Sequence, residues 1–110
     1  MERLSKIIQK IYHKYLPIAE KTDTILNLDF PDTTIIVSDG DCIEKTLDKI
    51  VKSAIARTSG GTIKITVSRN HILVQDTGTI IPKTICDKLT KDKIIVQSRV
   101  GFGNKITIKL

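Results

Sequence analysis

The stretch Thr62-Ile63-Lys64-Ile65-Thr66-Val67-Ser68-Arg69-Asn70-His71-Ile72-Leu73-Val74-Gln75-Asp76-Thr77-Gly78-Thr79-Ile80-Ile81-Pro82 decides the fold. Its first part alternates, with Ile63, Ile65 and Val67 on one side and Lys64 and Thr66 on the other, which is the period of a half-buried strand. Ile72 and Val74 repeat the pattern, and Ser68-Arg69-Asn70-His71 supplies the hairpin turn between the two runs. Asp76-Thr77-Gly78-Thr79 then reads as a loop, and Pro82 opens a short helix to about Leu89.

On the N-terminal side, residues 41–58 carry Ile43, Leu47, Ile50, Val51, Ala54 and Ile55 at helical spacing. Asp41 with Glu44 forms a capping box at its start, and Gly60-Gly61 closes it. Residues 24–30 alternate as a strand, and residues 33–38 form a second extended run. Residues 2–21 read as a helix with Leu4, Ile7, Ile8, Ile11, Tyr15 and Ala19 on one face, and Pro17 is placed to kink or end it. On the C-terminal side, residues 93–98 and 104–110 are two last strands joined by Arg99-Val100-Gly101-Phe102-Gly103. The expected architecture is α+β, one domain over residues 1–110: a two-layer α/β sandwich in which helices cover one face of a mixed, mostly antiparallel sheet of five to six strands.

The composition suits such a domain. The 110 residues are 40% hydrophobic and 27% charged, and the chain has no Trp, so the core is aliphatic and a flat aromatic platform for stacking is not expected. Cys42 and Cys86 have no metal-like spacing and read as reduced thiols of a cytoplasmic protein. No apolar run approaches a membrane span or a signal peptide, so no membrane partner is expected. No Ser/His/Asp, Cys/His or paired-carboxylate constellation announces a chemistry, and the expected catalytic set is empty.

Five stretches together resemble the ATP-binding domain of sensor histidine kinases, the GHKL or Bergerat fold shared with gyrase B-type topoisomerases and heat-shock chaperones. Residues 4–32 resemble the opening helix and strand of such a domain. Asp39 and the apolar frame from Ile43 to Thr58 resemble its N-box helix, and Gly60-Gly61-Thr62-Ile63-Lys64-Ile65 the strand after it. Gln75-Asp76-Thr77-Gly78 with Ile81-Pro82 is similar to the first glycine box, and residues 94–110 to the closing hairpin. The resemblance implies that Asp76 accepts a hydrogen bond from the adenine amino group and that Gly78 lets the backbone approach the base. It also implies a polar N-box face that holds Mg²⁺ against the phosphates.

The departures from the family pattern are as informative. The second glycine of the box is replaced by Ile80, and the two N-box polar positions are Lys49 and Ser53. Lysine cannot ligate Mg²⁺ at neutral pH but can meet a phosphate; a serine hydroxyl is a weaker ligand than an amide oxygen. Both positions also read as a solvated helix face. Thr90-Lys91-Asp92 joins the short helix directly to the closing hairpin, which leaves no room for an ATP lid or a second glycine box. His13 lies one residue short of an acceptor-box spacing to Pro17 and reads as a surface residue; His71 reads as a turn residue.

The charge is +6, and residues 83–109 hold +5 of it, seven basic residues against two aspartates. Lys64, Lys105 and Lys109 alternate with apolar neighbours and are expected on an open sheet face. Such a face can track phosphate backbones, or can guard exposed strands against edge pairing. The resulting expectation is a non-catalytic protein-interaction module, a pseudo-ATPase. The alternatives are residual ATP or ADP binding through Asp76, Gly78 and Ser53, with Mg²⁺ weakly held, and nucleic-acid binding through the lysine face.

Overall fold

A computed structural model describes residues 2–31, 34–79, 81, 94–99 and 103–110. Helix α1 spans Leu4–Lys21 and buries Leu4, Ile7, Ile8, Ile11, Tyr15 and Ala19, the face expected from the spacing. Pro17 does not end it, because Pro17 points to solvent while Tyr15 and Ala19 hold the last turns against the core. The helix stops at Thr22, whose N–H and Oγ1 both bond the Ala19 carbonyl, at 3.1 and 3.0 Å. Asp23 then takes φ +55° and turns the chain into the next strand.

Helix α2 spans Gly40–Arg57 and buries Leu47, Ile50, Val51, Ala54 and Ile55. The Asp41–Glu44 capping box does not form. The helix begins one residue earlier, after Asp39, and Asp41 already lies in its first turn, where its charge suits the helix dipole. Glu44 instead pairs with Lys10 of α1 at 2.9 Å. One turn further on, Lys14 reaches Asp48 at 2.8 Å. The two helices thus lie side by side and run the same way.

Two short strands, β1 (Glu2–Arg3) and β3 (Ile36–Val37), pair antiparallel beside the helix layer. This pairing was not expected, since two-residue strands carry no readable alternation. The main sheet contains β2 (Ile25–Asp29), β4 (Thr62–Val67), β5 (His71–Asp76), β6 (Ile94–Arg99) and β7 (Gly103–Lys109), in the order β2-β4-β5-β7-β6. The β2–β4 pair is parallel and the other three are antiparallel, so the sheet is mixed and mostly antiparallel, as anticipated. The segment 82–93, with the expected short helix and the Thr90-Lys91-Asp92 junction, lies outside the described residues, as do Ile80, Cys86 and residues 100–102 of the last turn.

The register sorts the sheet into two faces. Ile63, Ile65 and Val67 stand opposite Asp76, Val74 and Ile72, which in turn face Asn104, Ile106 and Ile108. These residues are buried under α1 and α2 with Leu47, Ile50 and Val51. The other face carries Lys64, Gln75 and Lys105 in register and is exposed. No helix among the described residues is long and apolar enough to cross a membrane.

Candidate functional site

Three strands end their inward rows on a polar side chain at the same edge of the core. β5 runs Ile72, Val74, Asp76; β7, read backwards, runs Ile108, Ile106, Asn104; β6 runs Ile94, Val96, Ser98. Strand alternation puts all three polar groups on the covered face, where each must find a partner.

They find one another. Asn104 Nδ2 donates to Asp76 Oδ1 at 2.7 Å and to the Thr79 carbonyl at 2.7 Å. Ser98 Oγ donates to Asn104 Oδ1 and accepts the Ile81 N–H at 2.9 Å. Asp76 Oδ1 also accepts the Gly78 N–H at 2.9 Å. From the helix layer, Arg57 at the end of α2 brings Nη1 to within 3.3 Å of Asp76 Oδ2. Its Nε donates to Ser53 Oγ one turn earlier, at 3.3 Å. The Arg57 side chain is 10% exposed and that of Asp76 is 1% exposed, so this is a buried ion pair. Among the described residues, Nη1 and Nη2 of Arg57 and Oγ1 of Thr58 make no hydrogen bond.

The loop after Asp76 is bound to the same helix end. Thr79 N–H donates to the Arg57 carbonyl at 3.1 Å. Thr77 N–H bonds the Thr62 carbonyl at 3.1 Å, and its Oγ1 accepts the Thr62 N–H at 3.0 Å. A Cβ at Gly78 would sit 2.4 Å from the Arg57 carbonyl oxygen. Gly78 is therefore needed for the close approach of the loop to α2.

Of the residues singled out from the sequence, Asp76, Gly78 and Ser53 come together, but around Arg57. Lys49 is exposed on α2, one turn before Ser53, and enters none of these contacts. His13 is exposed on α1 with its ring edge-on to Tyr12, and His71 Nδ1 lies 3.2 Å from Ser68 Oγ in the β4–β5 turn. Lys64, Lys105 and Lys109 are all exposed on the open face; Lys64 and Lys105 flank Gln75, while Lys109 stands opposite His71 at the other end. Sequence reasoning missed Arg57, Asn104 and Ser98. The signal for the last two was present, because each is in phase with the inward isoleucines and valines of its strand. Arg57 carries no such signal, since a basic residue in a last helical turn reads as dipole complement.

A second cluster joins the helices. Asp48 Oδ1 accepts from Lys14 Nζ at 2.8 Å and from Tyr15 Oη at 2.9 Å. The bond from Lys14, followed by that from Tyr15, holds the Asp48 carboxyl below its ordinary value, and the Lys14 ammonium is raised chiefly by the same bond. Burial, then the bond to Asp48, pushes the Tyr15 hydroxyl up.

No protein-family model matches the sequence, and no curated protein matches it. Solved structures do match in fold. The catalytic domain of histidine kinase ThkA, in a nucleotide-free form, superposes with a TM-score of 0.77 at 20% identity, over 100% of this chain and 95% of that one. ThkA in complex with the response regulator protein TrrA gives a TM-score of 0.75 at 20% identity, over 99% of this chain and 40% of that one. The Acinetobacter baumannii histidine kinase AdeS gives 0.74 at 18% identity, over 98% and 64%. The chain has the histidine-kinase-type ATP-binding fold.

The residues present do not fit the magnesium nucleotide that this fold implies. Oδ1 of Asp76 already accepts two hydrogen bonds, and Oδ2 faces the Arg57 guanidinium. An adenine amino group would have to compete with a buried cation for that oxygen. Ser53 Oγ accepts from the same guanidinium, so a divalent cation there would stand beside a fixed positive charge.

Proposed function

We propose that this chain is a non-catalytic regulatory module on the histidine-kinase-type ATP-binding fold, a pseudo-ATPase that works by binding another protein. The observation that carries the reading is the Arg57–Asp76 ion pair: the carboxylate that the family resemblance assigns to the base is spent inside the protein. The position of Gly78 supports it, because the glycine serves contact between loop and helix. So does the sequence between Pro82 and Ile94, which has no second glycine box. A protein partner agrees with ThkA having been solved in complex with a response regulator.

Incubation with γ-labelled ATP and Mg²⁺ tests the reading. No label should be retained on the protein and no phosphate released above a blank. Label on the protein that disappears in His13→Ala, or hydrolysis that disappears in Asp76→Ala, would overturn it.

A further inference from the structure

The sheet face opposite the helices has an organisation that guarding the strands does not require. Asn27, Lys64, Gln75, Lys105 and Gln97 stand in register across all five strands, one from each. All five are exposed and none is a carboxylate. Four of them, Lys64, Gln75, Lys105 and Gln97, line a shallow depression of about 440 Å³ together with Thr62, Thr77 and Gly103. Gly103, at φ +78°, has no room for a Cβ, which would lie 2.2 Å from the Asp76 carbonyl oxygen.

Among the described residues the two lysines enter no ion pair; the pairs there are Lys10–Glu44, Lys14–Asp48 and Arg57–Asp76. Strand spacing places their backbones about 10 Å apart, near enough for both ammonium groups to meet one acidic segment. Amides at Asn27, Gln75 and Gln97 add groups that both donate and accept, which suits a peptide more than a phosphate chain needing donors alone. The next rung contains Thr66, Leu73, Thr107 and the 42%-exposed Ile95, with the exposed Asp29 at its far end on the edge strand β2, three strands from Lys105. On the other side Ile25 is 59% exposed. These apolar side chains lie beside the cations and amides, so a peptide can make both apolar and polar contacts on this face. No aromatic side chain described on this face can stack a base.

We infer that the open sheet face is the docking surface for an acidic segment of a partner protein, gripped by Lys64 and Lys105 with the amides of Gln75 and Gln97 between and beside them. The inference rests on the reading of the chain as an interaction module but uses the opposite face from Asp76. The face measures roughly 20 by 20 Å, about half the area each partner gives to a standard interface. Binding is accordingly transient and salt-sensitive.

The test uses ¹⁵N-labelled full chain titrated with a short poly-glutamate peptide at low salt, with single-stranded DNA of matched charge in a parallel series. Poly-glutamate should shift the amides of Lys64, Gln75 and Lys105 ahead of those on α1 and α2. The double variant Lys64→Gln/Lys105→Gln should bind about tenfold more weakly. The charge-matched control Lys49→Gln/Lys52→Gln, on exposed helix positions, should bind within about twofold of the parent. Gln75→Ala/Gln97→Ala should weaken poly-glutamate while leaving DNA unchanged. Shifts confined to the helices, equal losses in the two lysine variants, or tighter DNA than poly-glutamate binding on the rung would each overturn the inference. Nucleotide binding at Asp76 would overturn the proposed function and leave this result standing.

Discussion

Asp76 and Asp48 are each met by one cation and a further side-chain donor, yet they stand in opposite surroundings. Asp76 is held by Arg57, Asn104 and the Gly78 backbone, with 1% of its side chain exposed. Asp48 is held by Lys14 and Tyr15, with 28% exposed. The same pairing therefore means two things. At Asp48 water can replace either partner, so the cluster only trims the fit of α1 on α2. At Asp76 no such replacement exists, and removing one partner alone leaves the other buried without its counter-charge. The buried carboxylate of Asp76 thus joins the end of α2 to the ends of β5 and β7.

The largest effect that can break this contrast comes from removing the buried pair. Arg57→Ala leaves the buried Asp76 carboxyl without its cation and should cost about 3–5 kcal/mol of unfolding free energy in a urea titration. Arg57→Met with Asp76→Asn should recover most of that loss, since neither side then carries a buried charge. A loss below about 1 kcal/mol for Arg57→Ala would mean that the pair is not dry and that the contrast fails.

Gly78→Ala comes next. Its Cβ would strike the Arg57 carbonyl, so the loop must leave α2, at a cost of about 1–3 kcal/mol by thermal melting. A neutral result would free the glycine for contact with a ligand.

The smallest effect belongs to Asp48. Asp48→Asn should cost under about 1 kcal/mol, and the difference should shrink as salt is raised. Because its folded carboxyl lies below the ordinary 3.8, its contribution is present above that value and fades as pH falls through the lowered one. Lys14 is raised from 10.5, so its contribution is present below that value and fades as pH rises through the raised one. An Asp48→Asn variant whose stability still followed the parent's acid limb would assign that limb elsewhere.

Much of this was readable in the chain. The apolar faces of α1 and α2, the alternation of β4 and β5 and the mostly antiparallel sheet follow from periodicity, because burial of one face imposes it. Asp76 and Gly78 were legible through the resemblance of their loop. What the loop does was not. The Arg57 guanidinium reaches Asp76 across 19 residues of chain, through the packing of a helix end on a strand end, and no local pattern encodes that meeting. The capping box at Asp41 failed because the helix starts after Asp39, which puts Asp41 inside the first turn, while Glu44 meets Lys10 of α1, a tertiary contact that local reading cannot see. The β1–β3 pair is too short to alternate, and it forms because Leu4 N–H bonds the Ile35 carbonyl and brings the two segments together.

Calorimetric titration of the intact chain with ATP and ADP, with and without Mg²⁺, tests the closed carboxylate most directly. With Asp76 spent on Arg57, binding should be weaker than about millimolar, less than about 4 kcal/mol, and indifferent to Mg²⁺. Micromolar binding that is lost in Asp76→Ala would contradict it, because the carboxylate would then be free for a base.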